Sequence, residues 1–163
     1  NLWDLFENDP GLMNQTGWLE VSSDVDRVVG TVTFTDPNNT FLSSYELSGT
    51  PLRNFLFPLV AEDSTYQTQI ALLNGGTQAA AVEIELWAPA GTMEGYVTLS
   101  LAPGASLAKP LDEIFTGMQS IRPGNVRVRS SQPLHGFASI YTRDLRFMTS
   151  QPPVPYPAAV LGQ

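Results

Sequence analysis

A chain that does covalent chemistry carries groups that can move a proton, attack a centre or hold a metal, and here such groups are few. The single histidine, His135, stands just before Gly136 at the start of an apolar run. A serine or metal mechanism would need a partner for that imidazole. Where the same pattern occurs earlier in the chain the aligned residue is Val29, so His135 is read as structural. Two carboxylate pairs, Asp112 with Glu113 and Glu83 with Glu85, have the composition of a glycosidase acid and base. The first is expected in the opening turn of a short helix, where carboxylates meet the positive end of the helix dipole. The second is expected on the solvated face of a strand. With no catalytic or cofactor motif, the chain is read as not an enzyme, with no cofactor and no metal.

The remaining chemical candidates are weaker. Glu7, Asn8 and Asp9, and the DPNN at 36–39, are oxygen-rich but lack the spacing of a defined calcium loop. Turn chemistry explains both. Lys109, the only lysine, could be asked to form an isopeptide, but it stands beside Pro110 near a turn. Asn14-Gln15-Thr16 and Asn38-Asn39-Thr40 are sequons by pattern and loops by expectation. The tryptophans are more telling, because Trp3, Trp18 and Trp87 all occupy positions that the surrounding pattern marks as polar. Exposed aromatics of this kind anchor interfaces or stack on sugar rings. Burial against a neighbouring module or subunit is the first expectation, and a polysaccharide partner the second.

The elements that must position these residues are strands. Charged residues are 15% of the 163, well below the roughly 25% of an average soluble domain, so Ser, Thr, Asn and Gln carry the polarity. The net charge of −8 offers no basic stripe for phosphates, which makes nucleic acid and anionic membrane poor partners. Cysteine is absent, which removes disulfides and thiolate sites and is compatible with a reducing cytosol or with an exported chain that does without bridges. No apolar run approaches the roughly 18 residues of a membrane span. The N-terminus shows no basic or apolar leader.

Alternation predicts strands at 18–23, with Leu19 and Val21 inward, and at 67–74; β-branched residues predict one at 27–35, the DPNN turn leads into another at 41–47, and 53–60 opens the complete module. In residues 81–88 Val82, Ile84 and Leu86 face one way and Glu83, Glu85 and Trp87 the other. Further strands are predicted at 96–101, 106–109, 125–131, 135–142 and 146–151, joined by Gly, Pro and Asn turns at spacings near ten residues. Short helical plugs are predicted at 2–7 and 111–117. The pattern is that of an all-β antiparallel sandwich, Ig-like in general architecture.

The chain also repeats itself. Gly17, Val21 and Ser23 fall on Gly124, Val128 and Ser130 at an offset of 107, and Gly30, Phe41 and Ser44 fall on Gly136, Phe147 and Ser150 at 106. Upstream, Leu2, Leu5 and Phe6 match Leu111, Ile114 and Phe115; downstream, Phe57 and Pro58 match Tyr156 and Pro157. A period near 100 residues marks a repeated structural unit. The expected organisation is the C-terminal half of one module at 1–55, a complete module at 56–155, and the opening strand of a third at 156–163.

The order FPLVAEDSTYQTQIALLNGG, VEIELWAPAG, LAPGAS, LDEIF and GNVRVRSSQPLHGF resembles the tandem β-sandwich modules of secreted and surface-anchored bacterial proteins. The shared pattern is an aromatic-proline opening, a T-x-I-x-L-x-N strand, a polar hairpin, an L-x-P-G turn and a closing G-x-V-x-V-x-S-x-x-P-hydrophobic-x-G. The resemblance implies an extracellular or cell-surface scaffold, adhesion or assembly role without catalysis, and it assigns no functional residues. The open ends of the repeat suggest head-to-tail self-association, in which a terminal strand built on Tyr156, Pro157 and Val160 completes the sheet of the next chain. Alternatively, 1–55 folds back on the complete module to close a single unit. The expected partner-binding residues are Trp3, Trp18, Trp87, Tyr156, Pro157 and Val160.

Overall fold

A computed structural model describes residues 18–25, 30–35, 42–46, 50–118 and 120–157. Trp3, Val160, the plug at 2–7, the loops at 7–9 and 36–39 and both sequons lie outside them. The described chain is all-β with one short helix, and its strands are β1 (Thr31–Thr35), β2 (Leu42–Glu46), β3 (Leu52–Glu62), β4 (Tyr66–Leu73), β5 (Ala80–Trp87), β6 (Met93–Leu101), β7 (Ser106–Pro110), β8 (Ile121–Thr142), β9 (Met148–Gln151) and β10 (Val154–Pro155); α1 (Leu111–Ile114) follows β7.

Two antiparallel sheets form the body, and β8 belongs to both. Its first half lies between β3 and β5, giving the order β10-β3-β8-β5-β6. Its second half lies between β4 and β9, giving β7-β4-β8-β9. The sequence predicts two strands, at 125–131 and 135–142, where the structure has one of 22 residues. The SSQP stretch that reads as a turn is instead the passage from one sheet to the other. Pro133 can sit there because the ladder of the first sheet with β5 ends at Ser130 and that with β4 starts at His135, so its missing N–H breaks no pairing.

Alternation then fills the space between the sheets. Phe55, Phe57, Ile70, Leu72, Val82, Ile84, Leu86, Val126, Val128 and Leu134 are all buried in one apolar cluster. Phe55 and Phe57 meet edge to face, with ring centroids 5.7 Å apart. Gly136 makes room for them: a Cβ there would lie 3.0 Å from the Phe55 ring and 3.3 Å from that of Phe57. Leu111, Ile114 and Phe115 of the LDEIF segment are buried in the same cluster, so this plug does close the body.

The segment at 18–23 departs from expectation. It forms no strand, and Leu19 and Val21 are exposed rather than inward. Its alternation matches that of 125–130, but a strand is stable only when a neighbour takes its backbone groups, and among the described residues none pairs with it. β1 and β2 form a separate hairpin. That hairpin carries the register of β8 with β9: Val32 opposite Tyr45, Thr33 opposite Ser44 and Thr35 opposite Leu42 become, 106 residues on, Ala138 opposite Gln151, Ser139 opposite Ser150 and Tyr141 opposite Met148. The two hairpins also meet, with Ser43 Oγ 3.3 Å from Ser150 Oγ.

Candidate functional site

Polar residues within the matched pattern have structural duties. Thr68 is fully buried; its Oγ1 donates to the Ala61 carbonyl at 2.8 Å and accepts the Ala61 N–H at 2.9 Å, satisfying β3 where its pairing with β8 shifts register. Asn74, also fully buried, donates through Nδ2 to the carbonyls of Gln78 and Leu101 and accepts the Gly76 N–H. Its backbone bonds the LAPG turn in both directions: the Asn74 N–H donates to the Ala105 carbonyl at 3.0 Å, and the Asn74 carbonyl accepts the Gly104 N–H at 2.8 Å. Gly104 holds a φ of +72°, a conformation that suits glycine. The T-x-I-x-L-x-N strand and the L-x-P-G turn are thus one unit. Trp18 joins it by donating Nε1–H to the Gly104 carbonyl at 3.1 Å while its ring stays about half exposed.

At one end of the body, where β3 turns into β4 and β8 into β9, a charged network forms. Glu62 is buried, accepts the Thr68 N–H at 3.1 Å and pairs with Arg143 at 2.5 Å. Arg143 also donates Nε–H to the Asp63 carbonyl at 2.8 Å and lies 3.8 Å from Asp112. Burial pushes the Glu62 carboxyl above its ordinary value, against the pull of the Thr68 N–H and the Arg143 charge. Asp63 is held below its ordinary value by the N–H groups of Tyr66 and Thr65 and by Arg122, which also covers the Tyr66 ring. Tyr141 is pushed up by burial and by the Glu62 charge. Two arginines therefore pair with the three carboxylates, and no cluster among the described residues has the make-up of a metal site. Lys109, half exposed, pairs with Glu113 at 3.8 Å. His135 lies against Gly75, and among the described residues no carboxylate or hydroxyl pairs with it.

The second constellation lies on the outer face of the five-stranded sheet. β5 contributes Glu83, Glu85 and Trp87, and β8 contributes Asn125, Arg127 and Arg129, with Glu83 opposite Arg129, Glu85 opposite Arg127 and Trp87 opposite Asn125. Glu85 does not stand on a solvated face as expected. It is 7% exposed, because its carboxylate accepts Trp87 Nε1–H at 2.8 Å and pairs diagonally with Arg129 at 3.3 Å. Both oxygens are engaged by these partners, and among the described residues Arg127 pairs with no carboxylate. Its guanidinium carbon lies 4.2 Å from the Trp87 ring centroid and 5.1 Å from that of Tyr156, and its buried Nε has no acceptor among the described residues. Tyr96 and Met93, opposite Glu85 and Trp87 on β6, leave half their surface in water.

Tyr156 reaches this face because the chain end turns back. Val154 and Pro155 pair with Leu56 and Phe55 of their own β3, and the Tyr156 N–H donates to the Asn54 carbonyl at 3.0 Å. The pairing begins two residues before the predicted strand, and Pro157 is exposed beyond it. Trp87 and Tyr156 therefore come together, whereas Trp18 stands apart at the LAPG turn. Sequence reasoning missed Arg127, Arg129 and Glu62. The complementary E-x-E of β5 and R-x-R of β8, both outward by alternation, were the signal available for the first two.

No family model and no curated protein matches the chain. Among solved structures it is similar to Thermotoga maritima 1070, at 17% identity with a TM-score of 0.54, over 66% of this chain and 96% of that one. It is also matched, more distantly, to the Anabaena sensory rhodopsin transducer (12% identity, TM-score 0.46, 60% of this chain and 86% of that one) and to FlgD from P. aeruginosa (14%, 0.31, 71% and 83%). The likeness to the Thermotoga protein is one of fold, and it spans nearly all of that chain.

Proposed function

We propose that this chain is a non-catalytic structural module of a bacterial extracellular or cell-surface assembly, built from a repeated β-sandwich unit and associating through edge strands. The observation that carries this reading is the shared register of the β1–β2 and β8–β9 hairpins after a shift of 106 residues. Sequence drift that spares register is what a repeated packing unit would produce, since a slip of one residue turns every side chain to the other face. The in-chain pairing of Val154 and Pro155 covers part of the β3 edge. It favours continuation into a further module over release of that strand to another chain. β6, nine residues paired only with β5 among the described strands, is the long edge left for association.

The test is the mass in dilute solution, by light scattering, of the full chain and of a chain ending at Pro155, with hydrogen exchange along β6. Self-association that protects alternate β6 amides supports association through that edge. A compact monomer at every concentration, with β6 amides exchanging as an open edge, would overturn it.

A second reading, a carbohydrate-binding or adhesion module, is favoured by one observation: Trp87, Tyr96 and Tyr156 share the outer face of one sheet, with a cation among them. Tryptophan fluorescence that responds to no polysaccharide would exclude it.

A further inference from the structure

We infer that Arg127, held between Trp87 and Tyr156, is the anchor of a binding site for the carboxylate of an acidic sugar. The inference rests on the carbohydrate-binding reading of this face and names its ligand class. An outward arginine on a strand ordinarily pairs with the acid opposite it, and Arg127 has Glu85 opposite. That acid is taken by Arg129 and by the Trp87 indole. Among the described residues Arg127 has no ion pair and no hydrogen-bond acceptor. One aromatic ring reaches the guanidinium from each side of β8, Trp87 from β5 and Tyr156 from the segment after β10. Stacking restrains the guanidinium and leaves its terminal N–H donors, which lie in its plane, to grip a carboxylate in bidentate fashion.

The surroundings favour a saccharide over an acidic peptide. Backbone donors and acceptors in the middle of this sheet are spent in the ladders on both sides of β8. A peptide would find main-chain partners only at the edges. A sugar ring needs none: it can lie on aromatic surface, which the exposed Tyr96 and the partly exposed Trp87 and Tyr156 supply, with Asn125 beside them for its hydroxyls.

The experiment titrates the full chain with galacturonate oligomers and with neutral galactose oligomers of equal length. Tryptophan fluorescence and the Arg127 Nε–H resonance are the readouts. The expected result is saturable binding of the acidic oligomer, at least tenfold tighter than the neutral one, with the Arg127 signal moving. Binding should weaken at least tenfold in Arg127→Met and clearly in Arg127→Lys, which keeps the charge and loses the fork. Tyr156→Ala, near the chain end, serves as a second variant that should weaken binding with the fold intact. Equal affinity for the two oligomers would overturn the carboxylate site and leave the saccharide face standing. Binding of neither would sink both. Undiminished binding by Arg127→Met, or equal binding of a polyglutamate peptide, would also overturn the proposal.

Discussion

The Glu62 and Arg143 pair makes the most demanding prediction about the fold, because its outcome depends on pH in a defined direction. Glu62 is 4% exposed and Arg143 supplies its counter-charge, so Arg143→Met strands a carboxylate in the body. Removing one partner of a buried pair costs about 3–5 kcal/mol. The Arg143 side chain is 40% exposed, so water screens part of that loss. The expected deficit at pH 7 is therefore about 2 kcal/mol. The folded Glu62 carboxyl already lies above its ordinary value of 4.5, and losing the Arg143 charge raises it further. A carboxyl with a raised folded value binds its proton more firmly in the folded chain, so its penalty is present at neutral pH and disappears as pH falls through the folded value toward 4.5. Urea unfolding of both proteins at pH 7 and pH 4 should show the variant's deficit shrinking to less than about 1 kcal/mol at pH 4, where the main remaining loss is the Nε–H bond to the Asp63 carbonyl. Asp63 and Asp144 are lowered and so lose stabilisation as pH falls, but they do so in both proteins and largely cancel. A deficit equal at the two pH values, or unchanged in a Glu62→Gln background, would refute the reasoning.

Three further substitutions test the packing. Gly136→Ala should cost about 1–3 kcal/mol, since its Cβ meets the Phe55 and Phe57 rings in a filled core, and Phe55→Leu should recover part of it in a double-mutant cycle by thermal unfolding. Gly104→Ala meets nothing within 4 Å, so it should cost only the about 1–2 kcal/mol of its left-handed backbone, with no rescue from Phe55→Leu. Thr68→Val keeps the shape and strands the N–H and C=O of Ala61, which should cost about 1–3 kcal/mol in denaturant titration and speed exchange of the Ala61 amide; unchanged exchange would argue against the bridge.

The candidate face was half legible in the sequence. Trp87 stood out because an indole on the polar side of a strand needs a reason, and Tyr156 because the sequence pattern aligns it with Phe57, where a module is expected to open. Nothing local says that they meet, since 69 residues separate them and their approach depends on β10 returning to β3. Glu85 was misread for the same cause. Alternation puts it outward, but only the diagonal approach of Arg129 and the indole beside it makes that outward position a buried one.

What the sequence determined by itself is whatever follows from period and turn chemistry. The two-residue alternation of β4 and β5, the start of the LDEIF plug at Leu111 and the Pro103-Gly104 turn all read correctly because each depends on neighbours within a few residues. The spacing of glycines and apolar positions also aligned the β1–β2 and β8–β9 segments, which share one register; that they belong to a repeated unit is the proposal made above. Tertiary structure decided everything that needed a partner. The alternation at 18–23 matches that at 125–130, yet one is exposed and the other central, because a strand exists only where another takes its backbone hydrogen bonds. The passage of β8 between sheets, the neutralised Glu62 and the uncommitted Arg127 arise likewise from contacts between strands far apart in the chain, where pairing, not propensity, sets the outcome.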